Sequence, residues 1–124
     1  MLRITKNQII RMHERLIART GGSFGIRDEA LLDSAISNPF QTFDGIDLYP
    51  SVEEKAARLA YGLIRNHPMI DGNKRIGVHS MLVFLEINGI HTVYSQRELY
   101  EIILEVAEGK AGSEELIEWI KMHH

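Results

Sequence analysis

Three times in this chain a serine or threonine is followed three residues later by glutamine or glutamate: Thr5/Gln8, Ser51/Glu54 and Ser95/Glu98. Such a pair can close the first turn of a helix from both sides. Each pair runs directly into apolar residues at helical spacing. The first predicts a helix over 5–19, with Ile9, Ile10, Met12, Leu16 and Ile17 on one stripe, stopped by Gly21-Gly22. The second predicts a helix over 51–66, and the third one over 96–108 that ends at Gly109. Between them, a short helix fits Asp28 to Ser37 and is ended by Pro39, because the residue before a proline avoids the α region. Another runs from Gly72-Asn73 to Asn88 and stops at Gly89. Ser113 is placed to cap a last helix over about 114–122. The expected architecture is all-α, a compact bundle of about six helices. Residues 39–50 form a long connection with room for a short β-hairpin, and 90–94 looks extended.

With 124 residues, 44% of them apolar, the chain is read as a single globular domain over 1–124. The net charge of −3 and the absence of a basic run argue against direct nucleic-acid binding. No cysteine is present, so disulfides and thiolate metal sites are excluded. No apolar run approaches the roughly 20 residues needed to span a bilayer, and Met1-Leu2-Arg3-Ile4 does not begin a signal peptide. These features fit a cytoplasmic protein with no membrane contact. His123-His124 are given no function.

One stretch departs from this scaffold: Arg65-Asn66-His67-Pro68-Met69-Ile70-Asp71-Gly72-Asn73-Lys74-Arg75. It places dense polar chemistry between two core-forming helices. If a helix begins near Gly72, the N–H groups of Asn73, Lys74 and Arg75 point at one spot and favour an anion there. Gly72 lets backbone approach a ligand closely. Lys74 and Arg75 add full charges, and Arg65 stands where it could reach the same anion. Asp71 beside phosphate oxygens suggests a divalent cation, most simply Mg²⁺. His67 is a candidate general base. Taken singly, a histidine at a helix end is commonly a capping residue and Asp-Gly-Asn a plain turn. The conjunction is what points to transfer of a phosphoryl-containing group onto a hydroxyl. A zinc site from His67, His79 and His91 has the wrong spacing, and His13 and His91 read as core or surface histidines.

His67-Pro68-Met69-Ile70-Asp71-Gly72-Asn73-Lys74-Arg75 resembles the Fic/Doc signature His-x-Phe-x-Asp/Glu-Gly/Ala-Asn-Gly/Lys-Arg. Lys74, and Val78 where the Fic branch carries a second arginine, favour the Doc (death-on-curing) branch. Asn38-Pro39-Phe40-Gln41, Lys55-Ala56-Ala57, Leu82 to Gly89 and Val106 to Gly109 are similar to Doc proteins as well. The resemblance implies a Fic/Doc-type helical core and the toxin of a toxin–antitoxin pair. Its implied activity is that of a protein kinase-like phosphotransferase, which moves the γ-phosphate of ATP to a hydroxyl of a translation factor such as elongation factor Tu and arrests translation. His67 would be the base, and Asp71 would orient it or hold Mg²⁺. Gly72, Asn73, Lys74 and Arg75 would hold ATP phosphates, with Arg65 assisting. Residues 39–50 would be the flap that aligns the target, and a small Phd-like antitoxin would inhibit in trans. No inhibitory Ser/Thr-x-x-x-Glu-Gly/Asn segment occurs, since Leu104 stands where Ser or Thr is needed before Glu108-Gly109. The alternatives are Fic-type AMP transfer by a protein adenylyltransferase, or an inactive binding module. Met69 replaces the family phenylalanine, so the loop is expected to be kept but less tightly fixed.

Overall fold

The computed structural model describes residues 1–124. It contains six helices: α1 (Lys6–Thr20), α2 (Glu29–Ser37), α3 (Val52–Asn66), α4 (Asn73–Ile87), α5 (Gln96–Ala107) and α6 (Ser113–Met122). A two-stranded antiparallel hairpin, β1 (Thr42–Phe43) and β2 (Ile46–Asp47), follows a 3₁₀ turn over Asn38–Phe40. This is the all-α bundle with a small hairpin that the sequence predicts.

The capping pairs do what their spacing implies. Thr5/Gln8 and Ser95/Glu98 form both hydrogen bonds of the capping box. Ser51 accepts from the Glu54 N–H at 3.1 Å and donates to its carboxylate at 3.0 Å, so this pair caps the helix without the reciprocal backbone bond. Each cap is worth about 1 kcal/mol. At α6 the expectation shifts by one residue. Ser113 is helical, Gly112 precedes the helix and donates its N–H to Glu115 at 3.0 Å, and Ser113 Oγ accepts from Arg58 at 3.0 Å.

α3 and α4 form a helical hairpin at the centre. Leu63, Ile64, Ile76, Met81, Phe84 and Leu85 are fully buried between them and their neighbours. The two helices come unusually close at Gly77, where a Cβ would lie 2.7 Å from Ile64 Cγ1. Ile9 of α1, Leu32 of α2 and Leu116 and Ile120 of α6 close the same core. Burial of one such side chain contributes about 1.5–3 kcal/mol.

The hairpin lies at the wrong end to be a flap. Its turn, Asp44-Gly45, has φ of +51° and +75°, the pattern of a two-residue type I′ connection. Its base is held by Lys55 in the first turn of α3, whose buried amine meets the Asp47 carboxylate at 3.1 Å and the Tyr49 carbonyl. Phe40 packs edge-on against Phe84, near the end of α4. The 67–72 loop lies beyond the far end of α3, whose 15 residues span about 22 Å. Residues 39–50 therefore do not border the polar loop. Residues 90–94 pair with no strand and are tied to the chain end by Val93 N–H donating to the His123 carbonyl at 2.6 Å. No helix is long and apolar enough to cross a membrane.

Candidate active site

The loop between α3 and α4 starts in an unfavourable conformation. His67 ends α3 with φ +49° and ψ +54°, in the left-handed region. A residue with a Cβ is rarely found there, and a following proline favours extended backbone instead. Such a conformation costs on the order of 1–3 kcal/mol and persists only where its surroundings hold it. The His67 side chain is exposed and forms no hydrogen bond within the protein.

The loop is then pinned on two sides. Met69 is 1% exposed and sits in the main core cluster. Asn73 Oδ1 accepts from the Met69 N–H at 2.9 Å, and Asn73 Nδ2 donates to the Met69 carbonyl at 3.1 Å. On the other side runs the glycine-rich segment between α1 and α2. Ile26 bridges Met69 in antiparallel fashion, Ile70 N–H donates to the Gly25 carbonyl at 3.0 Å, and the Arg27 and Asp28 N–H groups donate to the Pro68 carbonyl at 2.7 and 3.0 Å.

Asp71 turns its carboxylate toward that segment. Oδ2 accepts from the Ser23 N–H at 3.1 Å, and Oδ1 accepts from the Gly72 N–H at 2.8 Å. These two N–H groups, then the Arg75 guanidinium 3.6 Å away, hold the carboxyl below its ordinary range, so it is ionised at neutral pH. The Asp71 carbonyl is met by His13 Nε2 at 2.7 Å. His13 is buried in α1, so the expected core histidine also fixes the loop.

α4 begins immediately after. Gly72 precedes it with φ +75°, and no side chain caps the helix. The N–H groups of Asn73, Lys74 and Arg75 are thus left open at the positive end of the helix. His67, Asp71, Gly72, Asn73, Lys74 and Arg75 border one cavity of about 530 Å³, with Ile70 and, from α5, Leu104, Ala107 and Glu108 on its other walls.

Two expected ligands are engaged elsewhere. The Asn73 side chain is buried and used up by Met69, leaving only its N–H for an anion. Arg65 does not line the cavity. Its Nη1 donates to the Ala107 carbonyl at 3.0 Å, where it satisfies the C-terminal end of α5. Arg75 is shared: Nη1 donates to Thr20 Oγ1 at 2.6 Å and to the Gly21 carbonyl at 2.7 Å, and Nη2 faces Asp71. Lys74 is exposed and has no ion pair.

No group of three or more His, Asp or Glu side chains is placed to hold a metal ion. A lone ionised carboxylate with free lone pairs still fits Mg²⁺, which commonly takes one protein carboxylate, phosphate oxygens and water.

The sequence does not mark His13, Gly22, Ser23 and Arg27 as supports of the loop, nor α5 as a wall of the cavity. The available signal was the density of glycine over 21–25. At Gly22 a Cβ would lie 2.5 Å from Asp71 Oδ2, so no other residue fits against the carboxylate.

The fold and loop define a helical bundle built around an uncapped helix N-terminus, with a histidine and an ionised carboxylate beside it. The chain belongs to the Fic/DOC family, whose model matches residues 3–85. It is similar to Toxin Doc of Mycolicibacterium smegmatis, 46% identical over 70 residues, which cover 56% of this chain and 54% of that protein. It is also similar to Protein kinase doc of Escherichia phage P1, 28% identical over 110 residues, which cover 89% of this chain and 86% of that protein. The match thus spans about half the length of the mycobacterial relative and most of the phage one.

Proposed function

We propose that residues 1–124 act as one catalytic domain, a Doc-type toxin that transfers the γ-phosphate of ATP to a hydroxyl of a translation factor, elongation factor Tu or a protein like it. Its site of action is the cytoplasm, and the result is arrested translation. The observation that carries this reading is the cavity wall itself: three open N–H groups and Lys74 at the start of α4, with ionised Asp71 and exposed His67 on the same rim.

In this mechanism the N–H groups of α4, Lys74 and the Arg75 guanidinium hold the phosphates. His67 takes the proton of the target hydroxyl. The hydroxyl oxygen bonds to the γ-phosphorus, the β–γ bridging bond breaks, and ADP leaves with the electron pair. Asp71 would hold Mg²⁺, which would supply positive charge against the phosphate oxygens. Asn73 acts through the loop rather than on the nucleotide. The segment Gly21 to Arg27 borders the loop in place of the hairpin, and the target chain is placed along it, beside exposed Phe24 and Ile70.

A Phd-like antitoxin is the proposed partner. An apolar groove of about 520 Å³ between α1, α4 and α5 is lined by Leu16, Val78, Leu82, Leu99 and Ile103, and it shares Lys74, Arg75 and Leu104 with the active cavity. A helix that folds into this groove would cover the phosphate side of the site.

AMP transfer is the second reading. Lys74 weighs against it, since a long cation stands where glycine would leave room for the nucleotide in that orientation. A binding module without catalysis is favoured by Met69 alone, and Met69 is fully seated in the core.

Expression in a bacterial host tests the toxin reading. The unmodified chain is expected to arrest growth, and His67→Ala to restore it. Normal growth at high levels of the unmodified chain contradicts it.

A further inference from the structure

Arg27 lies outside the signature loop, yet it meets three consecutive carbonyls where α3 runs into it. Its Nε donates to the His67 carbonyl at 2.6 Å, its Nη2 to the Asn66 carbonyl at 2.9 Å, and its own N–H to the Pro68 carbonyl at 2.7 Å. No carboxylate pairs with its guanidinium. Its neighbour Asp28 is occupied in capping α2 through the Leu31 N–H at 3.0 Å. The charge therefore faces the negative end of α3, where the last carbonyls have no helical partner.

We infer that Arg27 is the positioning residue for His67. It holds the left-handed turn from which the imidazole is presented to the cavity. This rests on the reading of His67 as the base. His67 has a Cβ, a φ of +49° and a proline after it, so nothing local favours its conformation. Two bonds from one planar fork fix both peptide groups that flank its Cα. Lysine, with a single amine on a flexible stem, cannot reproduce that fork. Without it, His67 relaxes toward the extended region preferred before proline, and its ring moves away from the target hydroxyl. The phosphate cradle is built from α4 and is untouched by this change.

The test compares wild type, Arg27→Ala, Arg27→Lys and His67→Ala. Label transfer from γ-labelled ATP into bacterial lysate protein is followed across ATP concentrations, together with melting temperature. Both Arg27 variants are expected to lose on the order of 10²-fold in rate at saturating ATP while KM for ATP stays within about twofold. Free guanidinium ion at millimolar concentration is expected to return part of the lost rate to Arg27→Ala and none to Arg27→Lys or His67→Ala. In NMR spectra the strong intraresidue Hα–HN contact of a left-handed His67 is expected to weaken in Arg27→Ala. Wild-type rates in Arg27→Ala overturn the inference if His67→Ala is dead. So does a loss matched by equal damage to KM and melting temperature with no guanidinium rescue. Wild-type transfer by His67→Ala instead removes the reading of His67 as base, an outcome separable from the other two.

Discussion

Asn73 closes its amide on both backbone groups of Met69, accepting at 2.9 Å and donating at 3.1 Å, so one side chain replaces the pairing the loop cannot make for itself. Met69 is 1% exposed, and its N–H and carbonyl have no water to turn to. Asn73→Ala strands both groups. A loss on the order of 2 kcal/mol is expected, read as a shift in the denaturant midpoint with unchanged slope. Transfer activity should fall as the loop loosens, although Lys74 and Arg75 remain. Met69→Phe, by contrast, should keep activity if the adjacent core yields.

His13 secures the other end of the loop from α1 through the Asp71 carbonyl. His13→Leu leaves that buried carbonyl without its partner and is expected to cost about 1–3 kcal/mol. His13→Gln, which can still donate, should recover most of it. Thermal unfolding of the two variants side by side checks this.

Gly22 is the backing for Asp71. A Cβ at φ +117° would meet Oδ2 at 2.5 Å, so Gly22→Ala must displace the carboxylate or the segment. The expected result is weaker Mg²⁺-dependent ATP binding, several-fold by titration, with a stability loss of about 1 kcal/mol. Gly21→Ala, with nothing near its Cβ, serves as the control for backbone strain alone.

The chain end carries a pH-dependent tie. His123 stacks on Trp119 with ring centroids 4.1 Å apart, its Nδ1 faces the Trp119 carbonyl at 2.6 Å, and its Nε2 meets Glu98 at 2.7 Å. Both ring nitrogens face acceptors, so the folded state favours the charged ring. The Trp119 carbonyl, then Glu98, raise His123 above 6.5. The Ser95 N–H, then His123, lower Glu98 from 4.5 to about 2. The Glu98 contribution is present above pH 4.5 and lost as pH falls toward 2. The His123 contribution is full below pH 6.5 and lost as pH rises through the raised folded value. Melting curves of wild type and His123→Gln are expected to differ most between these two limits and to converge at alkaline pH.

Much of the architecture is legible in local pattern because helix caps are local chemistry. Thr5, Ser51 and Ser95 each announce a helix within four residues of themselves, and the α3–α4 apolar stripes place the polar loop between buried helices. What the pattern does not carry is long-range placement. The hairpin over Thr42–Asp47 was readable as a turn, but its distance from His67 depends on the length and direction of α3. Likewise, Arg65 and Asn73 are polar residues in the right stretch, and only the packing of α5 and the burial of Met69 show that their side chains are taken up. The supports of the loop, His13, Ser23 and Arg27, come from 40 to 58 residues away and act mainly on backbone atoms, which leave no spacing to find.

Phosphoryl transfer with His67 as the base is tested by label transfer from ATP into protein of a bacterial lysate, with the label at the γ- or the α-phosphate, for wild type and His67→Ala. A protein band that carries γ-label alone and vanishes in His67→Ala is the expected result. An α-labelled band, or a γ-labelled band undiminished in His67→Ala, contradicts it.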